Sequence, residues 1–231
     1  MRRAARFPIL LTAIALAGGA LACARPAAAA ERYPDRSPWI MGLEVGWARF
    51  AMDDVNDAID AINREYGEDI LGDIDAGVEF SAYVGRRLSP AITAGLKFTR
   101  LDGSTDYPDP TGAFEINAGA NVWGGFVHYV PPVDGGMAWG AGLDLGVVST
   151  TGEINLAIPA AGVETGDFGG SAPAAAGYLI LDFPGTRTVS FQGHVGYRYA
   201  RIDDVTLAGG ASDAELDHSG FFFRAGFRLH P

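Results

Sequence analysis

The residues able to do chemistry in this chain are few and scattered. His218-Ser219, with Asp217 before it, is the only local grouping of base, hydroxyl and acid. A base must reach a hydroxyl to activate it, and adjacent residues in an extended strand face opposite sides. The other histidines stand apart, with no zinc-like spacing. Gly140-Ala141-Gly142 begins like a nucleotide loop, but Leu145 stands where a third glycine belongs. Asp53, Asp54, Asp57 and Asp60 lack the Asp-x-Asp-x-Asp-Gly run of a calcium loop. The sequence therefore assigns no catalytic residue, no metal site and no cofactor.

A different set is more orderly. Glu44, Glu79, Lys97, Asp144, His194, Arg198, Arg224 and Arg228 occur singly, each within an apolar segment and each on the same alternation as glycine. Charges removed from water are costly unless matched and hydrogen-bonded. The expectation is one network of paired charges, which needs a shared interior to hold it. The sharper alternative is a polar pathway for water or small solutes.

The elements that would supply that interior are β-strands. Eight segments alternate with period two: Trp39–Phe50, Asp75–Leu88, Ala91–Arg100, Phe114–Val130, Met137–Thr150, Ala172–Phe183, Thr188–Tyr199 and Gly220–Leu229. Strands of roughly nine residues or more suit a tilted crossing of hydrocarbon. In the second, Val78, Phe80, Ala82 and Val84 oppose Gly77, Glu79, Ser81 and Tyr83; in the last, Phe221, Phe223 and Phe227 oppose Phe222, Arg224 and Arg228. Glycine and charge thus share a face. A narrow barrel explains this, because its wall meets lipid while its tight lumen gives long charged side chains room beside glycine. The sixth segment fits least, with Leu179 and Leu181 falling on the supposed lumen side, and the fourth suggests a bulge at Gly124-Gly125.

Connections alternate long and short. Leu88-Ser89-Pro90, Pro131–Gly136 and Pro184-Gly185-Thr186 are tight, whereas Phe50–Asp75, Leu101–Ala113, Thr151–Ser171 and Ala200–Ser219 are long. Outer-membrane barrels have this asymmetry, with short periplasmic turns and long outside loops. Aromatics gather at the segment ends, as they do at headgroup level. Trp39, Tyr129 and Trp139 fall at the expected periplasmic rim, and Phe50, Phe114, Tyr199 and Phe221 at the outer rim. The first long connection holds one helix, Asp53–Tyr66, with Val55, Ile59, Ile62 and Tyr66 at helical spacing and acids on its other faces. Its apolar side suits a cap over the barrel mouth; its acids suit divalent ions that bridge lipopolysaccharide phosphates.

Composition agrees with export. Arg2, Arg3 and Arg6 precede an apolar run from Ile9, and Ala28-Ala29-Ala30 is a small-x-small cleavage site. This divides the chain into a signal peptide, 1–30, and one domain, 31–231. A rival reading is lipidation at Cys23 after Ala20-Leu21-Ala22. Cleavage after Ala30 removes Cys23 and four arginines, leaving 13 basic residues against 28 acidic ones, a mature charge of −15. Such a surface is a poor nucleic-acid partner.

On its strand count, loop order and final strand Phe221–Leu229, the chain resembles the small bacterial outer-membrane β-barrel superfamily, which includes OmpA-like, OmpX-like and OmpW-like barrels. The resemblance implies an all-β, eight-stranded antiparallel up-and-down transmembrane barrel in the outer membrane of a Gram-negative bacterium. Its implied partners are outer-membrane lipids, lipopolysaccharide, the barrel-assembly machinery and periplasmic chaperones. Members usually end in an aromatic residue; here Phe227 has the right parity, but Arg228-Leu229-His230-Pro231 follows. The expected role is non-enzymatic, structural or surface-interacting. The alternatives are an OmpW-like narrow conduit for small or hydrophobic molecules and, third, a lipid-modifying enzyme. Deacylases of that kind carry His-x-Ser, whereas here the two residues are adjacent.

Overall fold

The computed structural model describes residues 37–231, apart from 67–70, 110–111, 134–135, 159–161, 187, 204, 208–209 and 212–214. The leader, its cleavage site and Cys23 lie outside these residues.

Alternation builds the first strand, β1 (Trp39–Arg49), in which odd-numbered side chains from Trp39 to Trp47 face outward and Ile40, Glu44 and Ala48 are buried. A helix, α1 (Asp53–Tyr66), follows. Next come β2 (Ala76–Arg87), β3 (Ile92–Asp102), β4 (Ser104–Asp109), β5 (Gly112–Asn117), β6 (Ala120–Tyr129), β7 (Ala138–Ile158), β8 (Gly162–Pro184) and β9 (Val189–Ile202). Three short pieces, β10 (Thr206–Leu207), β11 (Gly210–Ala211) and β12 (Leu216–Asp217), precede the last strand, β13 (Gly220–Leu229). Each long strand pairs antiparallel with the next, and β13 returns to β1 from Met41↔Leu229 to Ala48↔Phe222. With β3 continued by β4, and β6 preceded by β5, this is a closed antiparallel barrel of eight strands, with one helix among the described residues. Closure removes the unpaired edges that would otherwise recruit other chains.

Two glycines let the interior close. A Cβ on Gly42 would stand 2.1 Å from Cζ of Tyr83, and one on Gly142 would stand 2.1 Å from Cε2 of Tyr178. Each ring lies where a neighbouring strand's side chain would otherwise project, so glycine here makes room for an aromatic rather than only for charges.

The structure corrects four details of the sequence reading. The fourth strand has no bulge at Gly124-Gly125: its register with β3 and β7 is unbroken from Ala120 to Tyr129. The interruption falls at Ala118-Gly119, between β5 and β6, where the Ala118 amide donates to the Gly103 carbonyl. In β8, Leu179 is 53% exposed, while Tyr178 and Ile180 are buried. Its face assignment is therefore reversed, because the Ala172–Ala176 run offers no contrast from which to read parity.

Two of the long connections prove to be hairpins. β4 pairs with β5, β5 with β7, and β7 with β8 as far as Ile158↔Gly162. At about 3.3 Å per residue, the 21 residues of β7 reach well past a hydrocarbon layer of about 30 Å. In this part of the hairpin the period-two hydropathy signal fades while the pairing continues.

The fourth correction concerns Phe50, expected at the outer rim. It shares the inward, even-numbered parity of β1 and is 6% exposed. It packs edge-on against His218, with ring centroids 5.5 Å apart. Phe114 lies on β5, in the projecting hairpin, and its side chain is outside the described residues. Of the other rim aromatics, Trp39, Trp139, Tyr199 and Phe221 are exposed on the outer wall, and Tyr129 is half-buried at the turn end.

Candidate functional site

The interior is layered, and each layer follows from strand parity. At the loop end it is apolar. Phe50, Met52, Ile59, Leu71, Ile74, Leu101, Ile116, Ile202 and Leu216 are all buried in one cluster, against which Val55 and Ile62 of α1 pack. The helix suits this place: Asp53 and Asp54 lie in its first turn and Arg64 in its last, complementing the helix dipole. Polar clips fix it to the barrel. The Ile74 amide donates to Asn56 Oδ1 at 2.8 Å, and the Glu215 amide donates to Asp54 Oδ2 at 2.9 Å. Asn63 is buried; it donates to the Leu71 carbonyl at 2.9 Å and accepts from the Leu71 amide at 3.0 Å. Asp53, Asp54, Asp57 and Asp60 are exposed. The side chain of Tyr66 is outside the described residues.

His218 and Ser219 lie just beneath this cap, both buried. His218 Nε2 donates to the Ala118 carbonyl at 2.7 Å, and the Ser219 hydroxyl accepts from the Ala200 amide at 2.9 Å. Burial pushes the imidazole down to about 4. A neutral histidine committed to one carbonyl, beside a serine committed to another strand's amide, braces the cap. It is not arranged as a base and nucleophile.

The middle layer is ionic. Seven of the eight residues singled out in the sequence meet here: Glu44 from β1, Glu79 from β2, Lys97 from β3, Asp144 from β7, His194 and Arg198 from β9, and Arg224 from β13. Arg198 Nη1 lies 2.6 Å from Glu79 Oε2, and Arg224 Nε donates to the other oxygen of the same carboxylate. Lys97 Nζ bridges Glu44 at 3.3 Å and Asp144 at 3.2 Å. His194 Nδ1 lies 3.2 Å from Glu44 Oε1. Arg224 is also 3.5 Å from Glu44 and 3.7 Å from Asp144, and its guanidinium covers the Phe222 ring at 3.9 Å. Three cations thus face three carboxylates, so the layer is neutral without the histidine. The void among these side chains is about 30 Å³, room for about one water molecule.

Arg228, the eighth residue, lies one layer toward the turns and joins the others indirectly. A guanidinium can only donate, so its Nη2, 3.1 Å from His128 Nδ1, fixes the His128 proton on Nε2. That nitrogen lies 2.8 Å from the Tyr178 hydroxyl, which donates to Asp144 Oδ1 at 2.6 Å. On the other side, the Tyr83 hydroxyl donates to Gln192 Oε1 at 2.8 Å.

The sequence reading missed Tyr178 and His128 as members of this network. His128 has the inward parity of β6 but was hidden by the supposed bulge, and Tyr178 was hidden by the reversed face of β8. Below them the lumen opens at the turn end into a vestibule of about 400 Å³.

The outer wall is the converse. Met41, Val45, Trp47, Phe80, Leu96, Trp123, Leu145, Val195 and Phe223 are all exposed. An apolar patch this extensive is far beyond what a monomer in water leaves uncovered. No helix among the described residues is long and apolar enough to cross a membrane.

No family model matches the chain, and no curated protein does. Solved structures do. The chain is similar to Neisserial surface protein A, at 12% identity over 84% of this chain and 98% of that one, with a TM-score of 0.45. It is similar to the outer membrane protein OprG from Pseudomonas aeruginosa, at 14% identity over 84% and 96%, with a TM-score of 0.48. It is also similar to the outer membrane protease OmpT from Escherichia coli, at 8% identity over 85% and 97%, with a TM-score of 0.47. These likenesses are remote, and the architecture stands on the chain's own pairing. Closed, antiparallel, eight-stranded and apolar outside, the chain has the fold of the small outer-membrane β-barrels.

Proposed function

We propose that the protein is a non-enzymatic barrel of the Gram-negative outer membrane, with a structural or surface-interaction role and a lumen closed to solutes. The observation that carries this is the pairing of the interior. A conduit needs a continuous wet path, whereas here three buried cations are matched by three carboxylates, two of them buried, and α1 lids the loop end. Opening that layer means separating charges that are held out of bulk water. Export by a signal peptide, 1–30, and assembly through periplasmic chaperones and the barrel-assembly machinery belong to the same reading. The turns then face the periplasm and the long hairpins face outward.

The exposed acids of α1 suit contact with lipopolysaccharide through divalent ions, in keeping with an acidic chain. The commitment of His218 and Ser219 to backbone groups supports the non-enzymatic reading over lipid modification. The test is planar-bilayer recording on the purified, folded chain. Insertion without discrete conductance steps is the expected result, while steady single-channel current would support the narrow-conduit reading instead.

A further inference from the structure

The turn-end vestibule differs in kind from the filled layer above it. At about 400 Å³ it falls in the range of small-molecule sites, roughly 300–1,000 Å³. Its rim is stiff and largely apolar, built from Pro38, Pro131, Pro132 and Pro184 together with Leu88. Proline fixes its own backbone angle, so these walls do not have to be ordered when a ligand arrives.

Its floor holds the informative group. Arg228 is 6% exposed and lines the cavity. Lys97, Arg198 and Arg224 each rest on a carboxylate, but Arg228 has no carboxylate in salt-bridge range among the described residues. Its hydrogen-bond partners are neutral, His128 at 3.1 Å and, at 3.5 Å, the Tyr83 hydroxyl, and the charges of Asp182 and Glu44 reach it only from beyond salt-bridge range. Arg87, 3.4 Å from the His230 ring, adds a second cation to the wall. Asp182 is the one acid lining the cavity among the described residues, and its Oδ1 accepts from Gln192 at 3.3 Å. Among the described lining residues the arginines thus outnumber the acid, in a chain whose net charge is −11.

We propose that this vestibule binds a small molecule through an oxyanion, carboxylate or phosphate, seated on Arg228, with the rest of the molecule against the proline rim. A guanidinium presents a planar fork of donors that matches either oxyanion. A buried cation facing open volume rather than a partner is stabilised when a ligand supplies the missing charge. The proposal does not depend on the barrel's role at the cell surface or on whether it conducts. A phosphate here has two sources, a soluble ester or a lipid headgroup at the rim.

The experiment uses the full folded chain in maltoside micelles, which contain no phosphate, and follows the backbone amide resonances of Thr93 and Ser190, which line the cavity. The probes are inorganic phosphate, acetate, glycerol 3-phosphate and phosphatidylglycerol doped into the micelle. A saturable shift is expected, with affinity reduced tenfold or more in Arg228→Gln and left unchanged in Arg100→Gln, which alters an exposed ion pair at the opposite end. Val133→Asp, which adds an anion at the cavity wall without touching the floor, is expected to weaken binding as well, and it serves as the test if Arg228→Gln does not fold. A response to glycerol 3-phosphate but not to the lipid assigns a soluble ligand; the reverse assigns a headgroup; either supports the site. No saturable shift with any probe overturns it, as does equal affinity in the wild type and in whichever of these two variants folds.

Discussion

Replacing Glu79 with glutamine is expected to destabilise the folded barrel by about 3–5 kcal/mol, the usual result of removing one partner of a buried ion pair. The reason is geometric. The Glu79 carboxylate is fully buried and holds two guanidinia, Arg198 on one oxygen and Arg224 on the other. Glutamine keeps the shape and one acceptor but leaves the layer with three cations against two anions. Folding titrations in detergent, comparing denaturant midpoints, measure the difference. Arg100→Gln is the control, because the Arg100–Asp102 pair is 3.7 Å apart and exposed, a class of contact that contributes at most about 1 kcal/mol. Equal midpoints for Glu79→Gln and the wild type would mean that the ionic layer does not hold the strands together.

The second large effect is on the outer wall. Val45 lies mid-strand in β1, opposite Phe80 and Ala225, and is 58% exposed. If that exposure is to hydrocarbon, Val45→Arg costs roughly 2–4 kcal/mol, the value for arginine at a bilayer midplane on a barrel wall. The cost falls toward zero at the interface, so Trp39→Arg at the turn rim is expected to be much milder. In a water-soluble barrel an exposed Val→Arg change stays within about 0.5 kcal/mol. Reversible folding into lipid vesicles, compared across the two substitutions, measures the depth dependence directly. A flat response would contradict a lipid-facing wall.

Where the two faces contrast, the sequence was enough. β1, β2, β3, β7 and β13 alternate apolar residues with glycine or charge, and there both the strand and its inward face follow from the pattern. The helix was legible for the same reason, since Val55, Ile59 and Ile62 recur at its own period. Where the contrast fades, the reading failed in ways that have physical causes. The alanine run of β8 carries no parity information, and the upper β7–β8 hairpin loses the period-two hydropathy signal. The Gly124-Gly125 pair is equally compatible with a bulge and with an unbroken ladder. Phe50 was misplaced by position alone, although its even number already put it on the inward side of β1.

The candidate site was legible as a list of charges but not as a geometry. Parity placed Glu44, Glu79, Lys97 and Arg224 inside; it could not say that Glu79 serves two arginines, or that Arg228 stands a layer below them without a carboxylate. Those facts depend on which strands are neighbours across the lumen and on the stagger between them. Tyr83 and Tyr178 make the same point. Their partner glycines, Gly42 and Gly142, are plain in the sequence, yet only pairing shows that each glycine makes room for a ring.

The most direct test of a closed barrel embedded in the outer membrane is heat-modifiability of the protein extracted from a purified outer-membrane fraction. Closed barrels stay compact in detergent gels until boiled. The expected result is that the protein is found in that fraction and that its unheated and boiled bands run at different positions. Full recovery in the soluble periplasmic fraction, with a single band whatever the heating, would contradict the account and leave the apolar wall facing water.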